Sequence, residues 1–230
     1  MGLLDVKDLS FHFVESPARR EAIYRLRYDV WVTELSHAQP LHFPKGMITD
    51  ELDAVSLHAA ALRGPDPVAA IRLIPPTGKG LPIHRVINVR FSGRPEPTGE
   101  ISHLVISKIY RRRKEDGPYG AEPYLRQSEG GSLPDQGPLA MTLRGRKGPR
   151  LILGLFRLIY QASKQQGLTR WFCLADVKLF TLLTRYGMPF RQMADRPPDY
   201  PDRIPASMLI SEFEDRLRRL DPALFEEFTQ

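Results

Sequence analysis

The sequence contains a single cysteine, Cys173, among its 230 residues. One thiol excludes an internal disulfide and any metal site built from several cysteines. Because Phe172 and Leu174 flank this residue, we expect a buried core thiol rather than a reactive one. The six histidines lack the paired spacing on one face that metal ligands show, so the sequence argues against a metal site.

Long apolar runs are also absent. No run approaches the roughly 20 apolar residues that a membrane helix needs, so we expect no transmembrane segment. Asp5, Lys7 and Asp8 interrupt the only candidate for a signal-peptide core, and we therefore expect a cytoplasmic protein. Hydrophobic residues make up 42% of the chain, which is enough for one large domain with a substantial core.

The formal net charge is +6, which favours an acidic partner such as nucleic acid, a membrane surface or an acidic carrier protein. The basic residues gather in two runs, Lys108–Lys114 and Arg144–Arg150. A nucleic-acid surface is the weaker interpretation, because Glu115 and Asp116 interrupt the first run. An acidic protein partner therefore fits better.

The central strand of the fold is predicted within the stretch from Gly99 to Lys114. Its apolar run from Ile101 to Ile109 is rich in β-branched residues and too short for a typical helix. Further strands are predicted at Ser56–Leu62, Val68–Ile74, Trp171–Ala175, Phe190–Met193 and Ala206–Ile210. A hairpin turn at Arg63–Asp66 joins the first two.

Helices are predicted where apolar residues recur every three or four positions. The first begins at Ser16, a favourable N-cap that is followed by Pro17. A second runs from Ile152 to Gly167, and a third follows Asp176 as its cap and ends at Gly187. This order of elements predicts an α/β fold with a central mixed, twisted sheet flanked by helices.

We expect one domain over residues 1–210. A flexible insertion is predicted at about 115–150, because that stretch is rich in glycine and proline and has no periodicity. Residues 211–230 carry many charges and are predicted to form a peripheral C-terminal helix, with Ser211 and Glu214 as a capping box.

Several charged residues are predicted to lie inside the fold. Arg27 shares a helical stripe with Ile23 and Trp31 and therefore points partly inward. Arg72 lies in an apolar strand, where a charge is costly unless it is paired. We therefore expect Arg72 to contact Asp50, Asp53 or Glu100. One interpretation is a substrate site, and the other is a purely structural ion-pair network.

A basic turn that contains Arg146 and Lys147 directly precedes the helix predicted at Ile152. Free N–H groups and the helix dipole favour an anion at a helix N-terminus. Phosphate binding is therefore one interpretation of this turn, and a solvated basic loop is the other.

Four motifs occur in order along the chain: Arg27-x-x-x-Trp31, Asp50-x-x-Asp53, Arg72-Leu73-Ile74-Pro75 and Gly99-Glu100-x-Ser102. Together they resemble the acyl-homoserine-lactone synthases and the related long-chain N-acyl amino acid synthases. Within that superfamily, the segments Tyr24–Trp31, Asp50–Asp53 and Tyr110–Arg113 are most similar to the exosortase (PEP-CTERM) system-associated acyltransferases. The resemblance covers roughly residues 10–205.

This resemblance implies an acetyltransferase-like (GNAT) fold whose central sheet is splayed to admit an acyl-phosphopantetheine arm. The implied donor is an acyl-acyl carrier protein or acyl-CoA, with no tightly bound cofactor, and the implied acceptor is an amine. The matching polar site residues are Arg27, Trp31, Asp50, Asp53, Arg72 and Glu100. His103 stands where the homoserine-lactone enzymes have arginine, which either changes substrate recognition or transfers that positive charge to His103.

The chemistry of acyl transfer agrees with these residues. An ammonium group must lose a proton before it attacks a thioester, and Glu100 can accept that proton. Ser102 and His103 lie beside Glu100 and complete the candidate catalytic group. Backbone N–H groups from Val105 to Ser107 are predicted to bind the oxyanion, so Val105 is a candidate substrate-binding residue.

The basic residues are expected to bind the carrier protein or its phosphopantetheine. They are Lys108, Arg111, Arg112, Arg113, Lys114, Arg146 and Lys147. The sequence therefore predicts an N-acyltransferase that moves a fatty acyl group, of long chain by resemblance, from acyl carrier protein to an amino acid or related small amine. An acyl-homoserine-lactone autoinducer synthase and a non-catalytic nucleic-acid-binding protein are the alternatives.

Overall fold

A seven-stranded sheet forms the centre of the computed structural model, which describes residues 2–78, 80–87, 96–110 and 147–230. The strands are β1 (Ser10–Phe13), β2 (Leu57–Arg63), β3 (Asp66–Ile74), β4 (Thr98–Ile106), β5 (Arg170–Asp176), β6 (Arg191–Gln192) and β7 (Arg203–Leu209). Their order in the sheet is β1-β2-β3-β4-β5-β7-β6. β4 lies in the middle, which confirms the prediction of a central strand.

Antiparallel pairing dominates this sheet, and β4–β5 is a parallel pair. The predicted hairpin between β2 and β3 is confirmed, with Arg63 opposite Asp66. Gly64 has φ +59° at this turn, a backbone conformation that glycine adopts without steric cost. The connection between β4 and β5 must cross over the sheet, because parallel strands cannot be joined by a tight turn.

The helices are α1 (Pro17–Tyr28), α2 (Ile83–Val86), α3 (Lys147–Gln165), α4 (Val177–Arg185), α5 (Ile210–Leu220) and α6 (Pro222–Thr229). A π-helical segment, Asp29–Glu34, continues α1, and 3-10 turns occupy Pro40–His42 and Lys108–Tyr110. The predicted caps are confirmed: Ser16 accepts from the N–H of Arg19, and Asp176 accepts from the N–H of Leu179. Among the described residues, no helix has both the length and the apolar character that crossing a bilayer requires.

The sheet separates two apolar layers. On one face, Ala60, Ala70 and Val105 pack with Ile23 and Leu26 of α1. On the other face lies the larger layer, which α3 to α6 cover. Gly154 lets α3 approach β1 closely, because a Cβ atom there would lie 2.5 Å from the ring of Phe11.

The C-terminal segment differs from its prediction. Residues 210–229 form the two helices α5 and α6, and Phe213, Leu217, Leu224 and Phe228 are buried in the main core. The predicted peripheral position is therefore wrong, because the many charges obscured two apolar i, i+4 pairs. The capping box is also wrong: Ser211 lies inside α5, which begins directly after β7 without a side-chain cap.

Residues 115–146 of the predicted insertion at about 115–150 lie outside the described residues. Residues 147–150 are not part of an insertion, because they form the first turn of α3.

Candidate active site

The strands β4 and β5 separate in the middle of the sheet. They pair only from Thr98 to Ile101 and from Arg170 to Cys173, although β4 continues to Ile106 and β5 to Asp176. Beyond Ile101, no strand of the described residues pairs with this edge of β4. The sheet is therefore splayed, as the sequence resemblance implied.

A cavity of about 400 Å³ occupies this gap. Its polar lining consists of Glu100, Ser102, His103, Tyr200 and Arg203. Its apolar and aromatic lining consists of Trp31, Val86, Ile101, Leu104, Phe156, Cys173, Leu174, Ala175, Leu179 and Leu183. Because these residues come from α1's π-helical extension, both strands, α3 and α4, the cavity connects the two faces of the sheet.

A β-bulge in β4 shapes the polar wall. Ser102 lies opposite Arg72, whereas Val105 lies opposite Ala70, so His103 and Leu104 together face one residue of β3. His103 has φ +52°, a strained conformation for a residue with a side chain. The bulge brings the imidazole onto Trp31, with ring centroids 5.0 Å apart and planes inclined by 26°.

The bulge also determines which backbone N–H groups face the gap. The N–H of Ser107 donates to the carbonyl oxygen of Val68 at 2.8 Å. Because N–H directions alternate along a strand, Val105 also directs its N–H toward β3, whereas Leu104 directs its N–H toward the splayed edge. By the same alternation Ile106, which lies within the predicted stretch Val105–Ser107, also directs its N–H toward the splayed edge. The oxyanion site stays a prediction, with Leu104 and Ile106 as its candidate donors. The side chain of Val105 packs in the α1 layer.

Arg72 pairs with two of the three predicted carboxylates. Its Nη1 lies 2.6 Å from Oδ1 of Asp50 and 2.9 Å from Oδ1 of Asp53, and its Nε donates to Oγ of Ser102 at 2.9 Å. The guanidinium is buried, and the predicted pairing is confirmed for Asp50 and Asp53. Arg72 thereby holds Ser102 beside the cavity.

Arg27 completes this network from α1. Its Nη1 lies 2.9 Å and 3.1 Å from the two carboxylate oxygens of Asp53, and its Nη2 lies 3.2 Å from Nδ1 of His58. Nε2 of His58 donates to the carbonyl oxygen of Asp53 at 3.0 Å. Burial lowers the pKa of His58, so the ring is neutral. Its Nδ1 therefore accepts a hydrogen bond from Nη2 of Arg27. The sequence did not single out His58.

The two aspartates of the network remain ionised. Burial alone would raise the pKa of Asp50, but hydrogen bonds with His103 and Arg72 hold it below its ordinary value. Burial would likewise raise the pKa of Asp53, and the charge of Arg27 lowers it. The positive charges of Arg27 and Arg72 are therefore balanced by the negative charges of Asp50 and Asp53.

Glu100 has a different environment. Its side chain is buried on the cavity wall, and Oε2 accepts a hydrogen bond from the N–H of Ile83 at 2.8 Å. Burial raises the pKa of Glu100 to about 7, although the bond from Ile83 and the charge of Arg72 oppose this shift. A carboxyl group with this pKa can accept and release protons near neutral pH.

His103 carries no charge near neutral pH. Its Nε2 lies 3.5 Å from Oδ2 of Asp50, whereas its Nδ1 is buried and has no hydrogen-bond partner among the described residues. Burial lowers the pKa of His103 to about 4. Of the two sequence interpretations, this environment favours changed substrate recognition over a positive charge on His103.

The structure divides the predicted site residues into two groups. Trp31, Glu100, Ser102 and His103 line the cavity. Arg27, Asp50, Asp53, Arg72 and Val105 lie behind that wall, where they support it. Lys108 is exposed just after β4, whereas Arg111, Arg112, Arg113, Lys114, Arg146 and the side chain of Lys147 lie outside the described residues.

Cys173 is buried as predicted, and burial raises the pKa of its thiol. Its position on the cavity wall was not predicted, because it depends on where β4 and β5 separate. Tyr200 and Arg203 were also missed. They come from a proline-rich stretch and the start of β7, and no local sequence signal connects them to β4.

No protein-family model and no curated protein matches this chain. Solved structures do resemble it. One is the CoA-dependent acyl-homoserine lactone synthase BjaI, solved with SAM and isopentyl-CoA, at 18% identity and a TM-score of 0.62 over 92% of this chain and 89% of BjaI.

Two further structures are similar over most of their length. The AHL synthase LasI has 11% identity and a TM-score of 0.60 over 93% of this chain and 95% of LasI. FeeM, an N-acyl amino acid synthase from uncultured soil microbes, has 11% identity and a TM-score of 0.58 over 92% of this chain and 96% of FeeM. At these identities the likeness establishes the fold, and the predicted GNAT-like acyltransferase fold is confirmed.

Proposed function

We propose that this chain is an N-acyltransferase that moves a fatty acyl group from a thioester donor to a small-molecule amine. The observation that carries the proposal is Glu100, a carboxyl group with a pKa of about 7 on the wall of a cavity between two splayed strands. The donor is the acyl-phosphopantetheine of an acyl carrier protein or of CoA. The products are an amide and a free thiol.

The proton transfers follow from the position of Glu100. Oε2 is held by the N–H of Ile83, which leaves Oε1 to take a proton from the neutral amine of the acceptor as its nitrogen attacks. An ammonium acceptor first releases one proton to solvent. The amine nitrogen then forms a bond to the thioester carbon, and the carbon–sulfur bond breaks. The departing sulfur receives the proton from Glu100, so the carboxylate is regenerated in each turnover.

The splayed edge of β4 suits the donor. In the described part of the chain no strand pairs with this edge beyond Ile101, so its N–H and C=O groups are available to the amides of a pantetheine arm. The N–H of Leu104 points toward the gap and can stabilise the oxyanion that forms at the thioester carbonyl. The donor would thus take the place of a missing strand.

The two ends of the cavity differ in polarity. Phe156, Cys173, Ala175, Leu179 and Leu183 make one part apolar, which suits an acyl chain. The part around Glu100 and Ser102 is polar and suits the amine. The acyl group and the amine therefore approach from different faces of the sheet and meet at β4.

The comparisons support this assignment. BjaI is described with an acyl-CoA and SAM, and FeeM as an N-acyl amino acid synthase. We extend the shared reaction class, acyl transfer to an amine, to this chain. An acidic carrier protein is the proposed partner because the net charge is +6 and opposite charges accelerate association.

Mass spectrometry tests the proposal directly. The purified protein is incubated with acyl carrier proteins and acyl-CoAs of several chain lengths, a pool of amino acids and other amines, and SAM. We expect a new amide that depends on the protein. Glu100→Gln should abolish its formation while the variant keeps its fold, whereas Glu51→Gln should not, because Glu51 is an exposed carboxylate outside the cavity. Full activity of Glu100→Gln would remove Glu100 as the base.

An acyl-homoserine lactone synthase is the second candidate, because BjaI and LasI have this activity. The same experiment distinguishes it. If SAM is the acceptor, the product is an acyl-homoserine lactone. If another amine is the acceptor, the product is a simple amide and SAM is not consumed.

A further inference from the structure

The charges around Glu100 restrict which amine the cavity can accept. An α-amino acid carries its carboxylate on the same carbon as its amine. If its nitrogen is placed at Glu100, the carboxylate must lie against the neighbouring cavity wall. Such a carboxylate needs a cation or several N–H donors, because an unpaired buried charge is costly. The unpaired N–H groups of β4 are the ones proposed to bind the pantetheine arm and the oxyanion, so a cation is required.

The guanidinium groups that the described residues place behind this wall do not meet this need. Arg27 and Arg72 lie behind the wall, and their charges are paired with Asp50 and Asp53 at 2.6–3.1 Å. Neither arginine lines the cavity. An incoming carboxylate would instead lie near ionised Asp50 and, above about pH 7, near ionised Glu100.

His103 does not supply the cation either. A charged imidazolium has two N–H donors. Nε2 faces Asp50, but the described residues give the enclosed Nδ1 no acceptor, so a second proton would be buried and unpaired there. Stacking on Trp31 and the support of the β4 bulge keep the ring in this position.

Among the described residues that line the cavity, Arg203 is the one arginine or lysine. It is opposite Asp176 in the sheet, whereas Glu100 is opposite Phe172. Four residues along β5 separate these positions, or about 13 Å at the rise of an extended strand. Arg203 also faces Asp176 and Asp202 at 3.8 Å and 3.9 Å. Its guanidinium therefore faces two carboxylates in the part of the cavity away from Glu100.

We propose that the acceptor is an amine without a carboxylate on its amine-bearing carbon, such as a primary alkylamine or arylalkylamine. This inference rests on the proposed acyltransferase function and narrows it. The nitrogen binds at Glu100 and Ser102. The apolar substituent contacts the half-buried ring of Trp31, so His103 acts as a specificity-determining residue that keeps this wall neutral.

Matched acceptors test the inference with the wild-type protein and an acyl donor that it uses. Phenylalanine, phenylalaninamide and phenethylamine share one side chain, as do leucine, leucinamide and isoamylamine. We expect kcat/KM for each amine without a carboxylate to exceed that of its amino acid by at least about tenfold. The carboxamides should also exceed the amino acids. Equal or higher kcat/KM for the amino acids would overturn the inference.

A failure of the proposed function gives a different result. In that case no member of either series yields an amide with any donor, and the inference falls together with the function. If amides form, acyl transfer is established. The inference then depends only on whether the amines without a carboxylate have the higher kcat/KM.

Substitution of His103 provides a second test. His103→Arg adds a cation at this wall and should raise the kcat/KM of the amino acids relative to their matched amines. His103→Asn is the control, because asparagine is neutral and tolerates a positive φ. This variant should rank the acceptors by kcat/KM in the same order as the wild type, even if its absolute rates differ. If His103→Arg does not fold, the wild-type comparison still decides the inference.

Discussion

Glu100 accepts a hydrogen bond from the backbone N–H of Ile83 at 2.8 Å. This bond fixes one carboxyl oxygen against α2 and leaves the other for the cavity. Glu100 therefore combines a defined orientation with a pKa that burial raises to about 7. Its protonation should control both the rate of the proposed reaction and the stability of the fold.

The rate of acyl transfer should depend on pH through Glu100. The base form is the carboxylate, and the pKa is about 7. We expect kcat/KM to rise about tenfold per pH unit below pH 7 and to level off above it. The measurement uses an acceptor whose own amine pKa is known, since deprotonation of the free amine adds a separate rise. A profile that is flat between pH 5 and pH 7 would contradict this role.

Glu100→Gln should lose activity and gain stability at high pH. The ordinary pKa of Glu100 is 4.5 and the folded value is about 7. Below pH 4.5 the carboxyl group is protonated in both states. Between pH 4.5 and about 7 it ionises in the unfolded chain but stays protonated in the folded protein, so the wild type loses stability over this range, and the loss is complete once the pH has risen through 7. Relative to wild type, the variant should gain up to about 3 kcal/mol between pH 4 and pH 8. Urea unfolding at both pH values measures this change.

That result also separates the catalytic interpretation from the purely structural one. If Glu100 only stabilised the ion-pair network, its replacement by glutamine would lower the free energy of unfolding at pH 8. Glu51→Gln is the control, because Glu51 is exposed and lies outside the cavity.

Arg27→Met should destabilise the fold strongly. The substitution removes two of the four hydrogen bonds to the buried carboxylate of Asp53, and breaking a buried ion pair in this way typically costs about 3–5 kcal/mol. Arg25→Met, on the same helix, is the matched control: its pair with Glu21 is exposed, so the loss should be below about 1 kcal/mol. Equal free energies of unfolding for the two variants would contradict the network's structural role.

Leu179→Trp should shorten the preferred acyl chain. Leu179 is half-buried on α4 and lines the apolar part of the cavity, so the larger ring fills space there without overpacking the core. In competition among donors of different length, the longest chains should lose most kcat/KM. Val177→Trp is the control, because Val177 is exposed on the same helix and does not line the cavity.

Much of the fold was predictable because its signals are local. Ser16 before Pro17 marks a helix start, and Gly64 followed by Pro65 marks the turn between two apolar runs. The pairing of Arg72 was predictable for a different reason: a charge inside an apolar strand needs a partner, and the nearest acidic cluster was Asp50 to Asp53.

The bulge at His103 was not predictable in this way. It exists because β3 and β4 differ by one residue in register, and neither strand carries that information by itself. The position of Val105 behind the cavity wall has the same origin, since one added residue changes which N–H groups face the gap. The cavity position of Cys173 likewise depends on the length of the β4–β5 pairing, which is a property of the assembled sheet.

The short pairing of β4 with β5 also bears on the order of folding. Thr98 pairs with Arg170, 72 residues further along the chain, whereas β2 and β3 pair across a tight turn. Contacts of large sequence separation require the costliest loop closure and tend to form late. We therefore expect the antiparallel units β1–β4 and β5–β7 to form first and to join last through four residue pairs. The substrate cavity would then be created only in the final step, when the two units meet.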